Sequence, residues 1–180
     1  MHLVRRYVRA VDGLSHAIGR VVSWLMPLMV LALAYEVFAR YVLSAPTIWA
    51  FDTGLYLYAF IGMLGGAAAL RHDAHIKVDV LTARLSDRTR AWFDILTAPL
   101  IVFFLILVID YVWASAADMY ARGARRPTEF APPLWLLVGV VPAGAVLLLM
   151  QLSANLARSF HLAFSGQPLF PQPSDDDSRP

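Results

Sequence analysis

Four ionisable residues, Glu36, Arg40, Asp52 and Asp110, lie close to the ends of long apolar runs in this 180-residue sequence. An ionisable side chain costs about 3 kcal/mol at mid-bilayer, so each of the four is a candidate for a functional role. All four are predicted to lie toward one end of their helices, where the cost is lower. Glu36 and Arg40 are four residues apart and can pair on one helix face.

Three interpretations of these residues differ in their consequences. The simplest is an interfacial ion pair with solvated neighbours, and the main alternative is polar contact with another helix or subunit. A path for protons or ions is disfavoured, because no acidic or basic residue continues it through the middle and the other half of the runs.

Histidine and aspartate residues follow the second apolar run and form a candidate metal site. His72, Asp73, His75 and Asp79 lie close together, but the spacing lacks the pair of histidines four residues apart that is typical of helical zinc sites. All five histidines of the chain lie near run ends or in loops, whereas a haem in a membrane span needs a histidine deep in the span. No Ser-His-Asp motif is present and the chain contains no cysteine. We therefore expect no catalytic site, metal or cofactor.

The elements that would position these residues are membrane helices. The sequence is 59% hydrophobic and 16% charged, against roughly 25% charged residues in a soluble domain. Four apolar runs approach the roughly 20 residues that a helix needs to cross the hydrocarbon core. They cover residues 21–40, 53–70, 95–117 and 130–157. The sequence thus predicts an all-α integral membrane protein with a transmembrane domain of four helices over residues 21–160.

The distribution of lysine and arginine predicts the orientation of the spans. Eleven of the 15 cations lie before the first span, between the second and third, or after the fourth. Because such residues are retained in cytoplasmic loops, both termini are predicted to be cytoplasmic. Tryptophans at the predicted outer ends, Trp49, Trp113 and Trp135, fit the aromatic belt of a membrane interface.

The chain ends have their own patterns. In residues 1–20, apolar residues recur at helical spacing while Arg5, Arg9, Asp12 and His16 occupy the opposite face, which predicts an amphipathic helix on the cytoplasmic surface. A signal peptide cleaved near Ala34 is the alternative, disfavoured because the region before the apolar run is long and amphipathic. A second amphipathic segment is predicted from residue 72 to 94, with Ser86 capping the next helix. Residues 165–180, rich in Pro, Ser and Asp, are predicted to be a disordered polar tail.

Two further features suggest contacts with other proteins. Gly62 and Gly66 form a G-x-x-x-G face that lets another helix approach closely, either within this chain or from a partner. Arg122, Arg125 and Arg126 form a positive patch in the predicted outer loop, which could steer an acidic protein surface. Simple solvated loop charge explains the three arginines equally well.

The stretch from residue 36 to 85 resembles the small membrane subunit of tripartite ATP-independent periplasmic (TRAP) transporters. The resemblance rests on Arg40-Tyr41 at the end of the first span, Pro46 and Trp49 before the second, the small-residue run 62–69, and the segment RHDAHIKVD that starts at Arg71. One departure concerns the segment PTIWAFD, which has Asp52 alone where many relatives have two glutamates. That segment is more similar to the branch associated with 2-oxo acids, aromatic acids and related organic anions.

The resemblance implies a function and a set of partners. A soluble periplasmic binding protein would deliver an organic anion to a large TRAP membrane subunit that uses a sodium gradient, and the small subunit would scaffold that large subunit in the bacterial inner membrane. Lipid is the remaining partner, and no nucleic acid is expected. Candidate subunit contacts are Glu36, Arg40, Trp49, Asp52, Gly62, Gly66, Arg71, His75 and Asp79. The alternatives are a membrane anchor of a respiratory enzyme and a self-sufficient small transporter.

Overall fold

The chain forms four long helices in the computed structural model, which describes residues 2–71 and 87–165. They are α1 (His2–Tyr41), α2 (Ala50–Arg71), α3 (Asp87–Ala121) and α4 (Leu134–Ser165). All four are long and apolar enough to cross a membrane. The described residues form no β-strand beyond one isolated bridge, between Arg125 and Pro133. The predicted all-α fold with four spans is confirmed.

The two connections that lie within the described residues are at the same end of the bundle, which we call the loop end. Thr47, before α2, donates to Glu36 near the end of α1. The Tyr56 hydroxyl, in the second turn of α2, donates to the carbonyl of Pro133 just before α4, at 2.9 Å. The α1–α2 and α3–α4 connections therefore lie side by side.

The start of α1 and the end of α4 meet at the opposite end, which we call the terminal end. Asp12 of α1 forms an ion pair with Arg158 of α4, and Asn155 donates to the carbonyl of Leu70 in the last turn of α2 at 3.3 Å. Successive helices thus alternate in direction, and both described chain ends lie on the same side of the bundle. That arrangement is what an even number of spans requires.

Helix α4 is central, because it packs against each of the other three helices. Its contact with α3 runs from the hydrogen bond of Ser159 to Asp94 at the terminal end to the edge-to-face rings of Tyr120 and Trp135 at the loop end. Its contact with α2 depends on Gly144, whose α-carbon approaches the backbone of Met63 too closely for any side chain. Glycine lets these two helix backbones come together, as is common in membrane bundles.

Helix α1 continues without a break through the predicted division at residue 20. Its 40 residues make it about 60 Å long, about twice the hydrocarbon thickness. Gly19 lies against Ala68, three residues before the end of α2, so most of the residues before Gly19 extend beyond that helix. The predicted N-terminal amphipathic helix and the first span are therefore one rod.

The apolar face of the N-terminal part of α1 packs against protein. Val8 and Val11 are buried with Ala154 of α4 in the small hydrophobic core of the described residues. Helix α4 thus covers the middle of the apolar stripe, whereas Val4 and Leu14 of the same stripe are exposed. Location of this segment at a membrane surface stays a prediction.

Large apolar side chains cover most of the outside of the bundle. Residues of this kind that are largely exposed include Trp24, Leu31, Leu96, Leu100, Phe103, Phe104 and Tyr111. Alanine is the most frequent residue in the buried apolar core. In lipid, this distribution is expected, since helices associate through close packing of small residues without a hydrophobic driving force.

Several predictions concern residues outside this description. His75, Asp79 and Ser86 belong to segment 72–86, which lies outside the described residues, as does the tail from residue 166. Arg71 is the last residue of α2. The part of the predicted second amphipathic segment from Asp87 onward belongs to α3.

The close contact at Gly144 gives a direct test of the α2–α4 packing. A Cβ atom at this position would lie 2.5 Å from the Met63 carbonyl oxygen, whereas one at Gly62 would meet no atom within 4 Å. We expect Gly144→Ala to lower the melting temperature of the detergent-solubilised protein, because backbone must move. The matched control Gly62→Ala should leave it unchanged or raise it, since alanine favours a helix by up to about 1 kcal/mol. Equal melting temperatures for the two variants would contradict this packing.

Candidate functional site

Glu36 is a buried carboxylate that joins the end of α1 to the start of α2. Its side chain is 8% exposed and accepts hydrogen bonds from the Nε atom of Arg40 and the backbone nitrogen of Thr47, both at 2.9 Å. The Thr47 hydroxyl also bonds to Glu36 and accepts from the nitrogen of Ala50 at 3.4 Å, the first residue of α2. The helical pair predicted from the spacing of Glu36 and Arg40 is present.

Partners within the chain occupy both carboxylate oxygens of Glu36, so its charge is compensated locally. Arg40 differs, because its side chain is half exposed. A guanidinium group has five donors, and Arg40 uses only part of this capacity on Glu36. Arg40 is therefore the member of this pair that can contact a lipid headgroup or another subunit.

Asp52 is the second buried carboxylate of the loop end. Its side chain is 2% exposed, and its Oδ1 atom lies 3.1 Å from the Nε atom of Arg126. The Thr128 hydroxyl donates to the other oxygen, Oδ2. The angle between Arg126 and Asp52 does not allow a hydrogen bond, so Oδ1 and Nε both lack a hydrogen-bond partner within the described chain. The contact is an ion pair that ties α2 to the α3–α4 connection.

The α3–α4 connection aims Arg126 inward through its own backbone. Gly123 and Ala131 have positive φ angles of 61° and 46°, which turn the chain back on itself. The Arg126 nitrogen then donates to the Pro132 carbonyl at 3.1 Å, and the Leu134 nitrogen donates back across the connection at 3.0 Å. The loop is thus a closed hairpin with one arginine on its inner face.

The three arginines predicted as a docking patch point to different partners. Arg122 pairs with Asp118 at the exposed end of α3, and Arg125 donates from Nη1 to the Ala131 carbonyl at 3.1 Å. Arg126 is largely buried against Asp52. The three do not form one exposed positive surface, and a docking role stays a prediction for the exposed pair, Arg122 and Arg125.

The remaining predicted contact residues lie on different sides of the bundle. Trp49 stacks on Tyr35 with ring centroids 6.1 Å apart at the loop end. A Cβ atom at Gly66 would lie 3.5 Å from the Leu148 side chain, so this glycine serves packing within the chain, whereas Gly62 is exposed. The G-x-x-x-G motif therefore does not form a single interface.

A polar cluster at the terminal end was not predicted from the sequence. Gln151 of α4 is fully buried. It accepts a hydrogen bond from Ser15 at 2.6 Å and donates to Asp12 at 3.1 Å and to Asn155 at 3.3 Å. Arg158 bonds to Asn155 at 2.7 Å and pairs with Asp12. The network joins α1 to α4, and Asn155 extends it to α2.

Helical spacing could have revealed this network. Gln151, Asn155 and Arg158 are four and three residues apart, so they share one face of α4. Asp12 and Ser15 are similarly placed on α1. Asp12 was predicted on the polar face of an amphipathic helix at the membrane surface. Instead it contacts Gln151 and Arg158, because α1 and α4 continue side by side beyond the end of α2.

Asp110 lies farther from a helix end than the other three ionisable residues. It is eleven residues before the end of α3, which corresponds to about 16 Å along the axis. It lies in the half of α3 nearer the loop end, and its depth in a membrane stays a prediction. The side chain is exposed, and no hydrogen bond or ion pair joins Asp110 to the described residues.

The Asp52–Arg126 ion pair should contribute measurably to stability. Asp52→Ala would leave Arg126 partly buried without its counter-charge, and we expect the free energy of unfolding to fall by about 3 kcal/mol. Asp118→Ala removes the same charge from an exposed pair and should cost less than about 1 kcal/mol. Denaturant unfolding in detergent measures both. Equal effects, or full stability of Asp52→Ala, would contradict the buried pair.

Comparison with known proteins places the chain in a family. The family model described as the DctQ component of tripartite ATP-independent periplasmic transporters matches residues 29–162. The C4-dicarboxylate TRAP transporter small permease protein DctQ of Rhodobacter capsulatus is 25% identical over 118 residues, which cover 64% of this chain and 52% of that protein.

A second relative is the sialic acid TRAP transporter permease protein SiaT of Haemophilus influenzae (strain 86-028NP). It is 26% identical over 98 residues, which cover 52% of this chain and 16% of SiaT. The chain thus spans about half of one relative and about a sixth of the other. Because the family model covers most of its length, the chain belongs to the DctQ family of TRAP transporter small permeases, multi-pass inner-membrane proteins that are transporter subunits and not enzymes.

Proposed function

We propose that this protein is the scaffold of a larger TRAP membrane subunit and does not itself carry the substrate. The observation that carries the proposal is the set of hydrogen-bond and ion-pair partners of the polar side chains. The loop-end carboxylates and the terminal-end network bond mainly to groups of their own chain. The larger described cavity is lined by apolar and aromatic side chains. An organic anion needs convergent cations or several hydrogen-bond donors, and the lining of this cavity has no cation and only the ring donors of Trp113, Tyr120 and Trp135.

The long helices support the same role. Helices α1, α3 and α4 each continue through a single proline, Pro27, Pro99 and Pro142. Midplane substrate sites of secondary transporters are typically built from helices interrupted near the middle. Continuous helices tied together at both ends suit a rigid support for a moving neighbour.

Substrate and coupling follow from the relatives as part of the proposal. Their names specify a C4-dicarboxylate and sialic acid, which are both organic acids. We propose that the complete system takes up an organic acid with sodium, after delivery by a periplasmic binding protein. The large subunit would hold the substrate and ion sites.

The scaffold role predicts a stable complex. The tagged chain, expressed with its large subunit, should retain that subunit through purification in mild detergent. Uptake of the organic acid should require both chains. Purification of the chain alone, together with uptake that persists without it, would refute the scaffold role.

We also propose that both described chain ends face the cytoplasm. The support is the excess of cations at the terminal end together with the even number of spans. The natural chain has no cysteine, so single cysteines report topology without background. We expect a membrane-impermeant maleimide to label Arg122→Cys in intact spheroplasts and Leu3→Cys only after permeabilisation. The first change removes an outer cation, which reinforces the orientation. Labelling of Leu3→Cys in intact cells would reverse it.

A further inference from the structure

An apolar groove follows one side of the bundle in its loop-end half. It lies between α2 and α3 and over α4, with a volume of about 480 Å³. Leu64 of α2, Trp113 and Ala117 of α3, and Leu136 and Ala143 of α4 are among its lining residues. Small residues on two of the three helices leave room for another backbone to come close.

Asp110 lies one helical turn beyond Trp113 on α3 and is not itself among the residues that line the groove. It precedes Trp113 by three residues and Ala117 by seven, so the three residues share one helix face. The carboxylate is exposed, about 16 Å from the end of the helix, and it bonds to none of the described residues. An ionisable group at such depth is costly without a partner.

The groove continues toward the loop end into a smaller pocket of about 240 Å³. The two share Phe60 and Leu136, and Asp52 lines the smaller pocket. The Asp52 side chain is almost fully buried, and its Oδ1 atom has no hydrogen-bond partner within the described chain. Acceptor oxygens therefore occur at both ends of one apolar surface.

These features distinguish between the two occupants that a membrane groove can have. A lipid acyl chain fills apolar space, but it cannot donate a hydrogen bond to a carboxylate at the depth of Asp110. A membrane helix can pack against the small residues and place a lysine, an arginine or a neutral donor beside Asp110. Of the two, only the helix satisfies the groove and the carboxylate together.

We infer that the groove and Asp110 form the docking surface for one transmembrane helix of the large subunit, and that this helix carries a hydrogen-bond donor or cation at the depth of Asp110. The inference rests on the proposed scaffold function. It adds the face of the bundle that binds and the chemistry of the side chain that the partner must supply.

Photo-cross-linking in membranes locates the contact. A diazirine analogue of leucine is introduced at Leu64 or Leu136 in the groove, and at Leu31 or Leu100 as matched controls on outward faces, with the large subunit co-expressed. We expect cross-links to the large subunit from the two groove positions. Cross-links from Leu31 or Leu100 instead, or to phospholipid alone from Leu64 and Leu136, would overturn the inference.

Two substitutions test the chemistry of the same surface. Asp110→Leu removes the unpaired carboxylate and Ala117→Phe fills the groove, while Leu100→Phe introduces phenylalanine on an outward face of α3. We expect the first two to reduce the affinity for the large subunit about tenfold, equivalent to about 1.4 kcal/mol. Leu100→Phe should have no effect, and Asp110→Leu should not lower the melting temperature of the isolated chain.

The outcomes separate this inference from the function on which it rests. Wild-type binding of Asp110→Leu and Ala117→Phe would refute the docking surface and leave the scaffold role intact. Failure of the wild-type chain to retain the large subunit would refute the scaffold role itself. A lower melting temperature of Asp110→Leu would show that the carboxylate serves its own chain, which also contradicts the inference.

Discussion

In lipid, a polar group that is buried must find its partner inside the protein, and this constraint governs the whole bundle. Apolar side chains gain nothing by facing inward when the solvent is hydrocarbon, so the outside of the bundle is rich in large apolar residues and the inside in alanine and glycine. Polar contacts then determine which helices pack together and at which position along their axes. Two such sets exist, one at each end, and the close contacts at Gly19, Gly66 and Gly144 lie between them.

The two polar sets stabilise different parts of the fold. At the loop end, Glu36 fixes the turn from α1 to α2, and Asp52 holds the α3–α4 connection through Arg126. At the terminal end, Asp12 and Gln151 join α1 to α4 beyond the end of α2. Helix α4 packs against every other helix, and the two polar sets fix the bundle at both ends. We therefore expect the isolated chain to keep this fold before any partner binds.

Sequence reasoning reached the features that depend on local spacing. Hydropathy located the four spans, and the four-residue interval of Glu36 and Arg40 predicted their ion pair. The Asp52–Arg126 pair could not be predicted, because it joins residues 74 positions apart through a loop whose shape depends on backbone torsions.

The contrast among the three acidic residues of the spans connects stability to assembly. Glu36 and Asp52 are buried and meet cations of their own chain, so they serve the fold. Asp110 has equal charge, lies farther from its helix end, is exposed beside the groove and bonds to none of the described residues. A carboxylate that stabilises neither the fold nor a solvated surface is a cost to the isolated chain. A second membrane protein that supplies the missing donor removes this cost, so the carboxylate stabilises the complex and not the isolated subunit. The position of the charge along α3 would then fix the register of the two proteins.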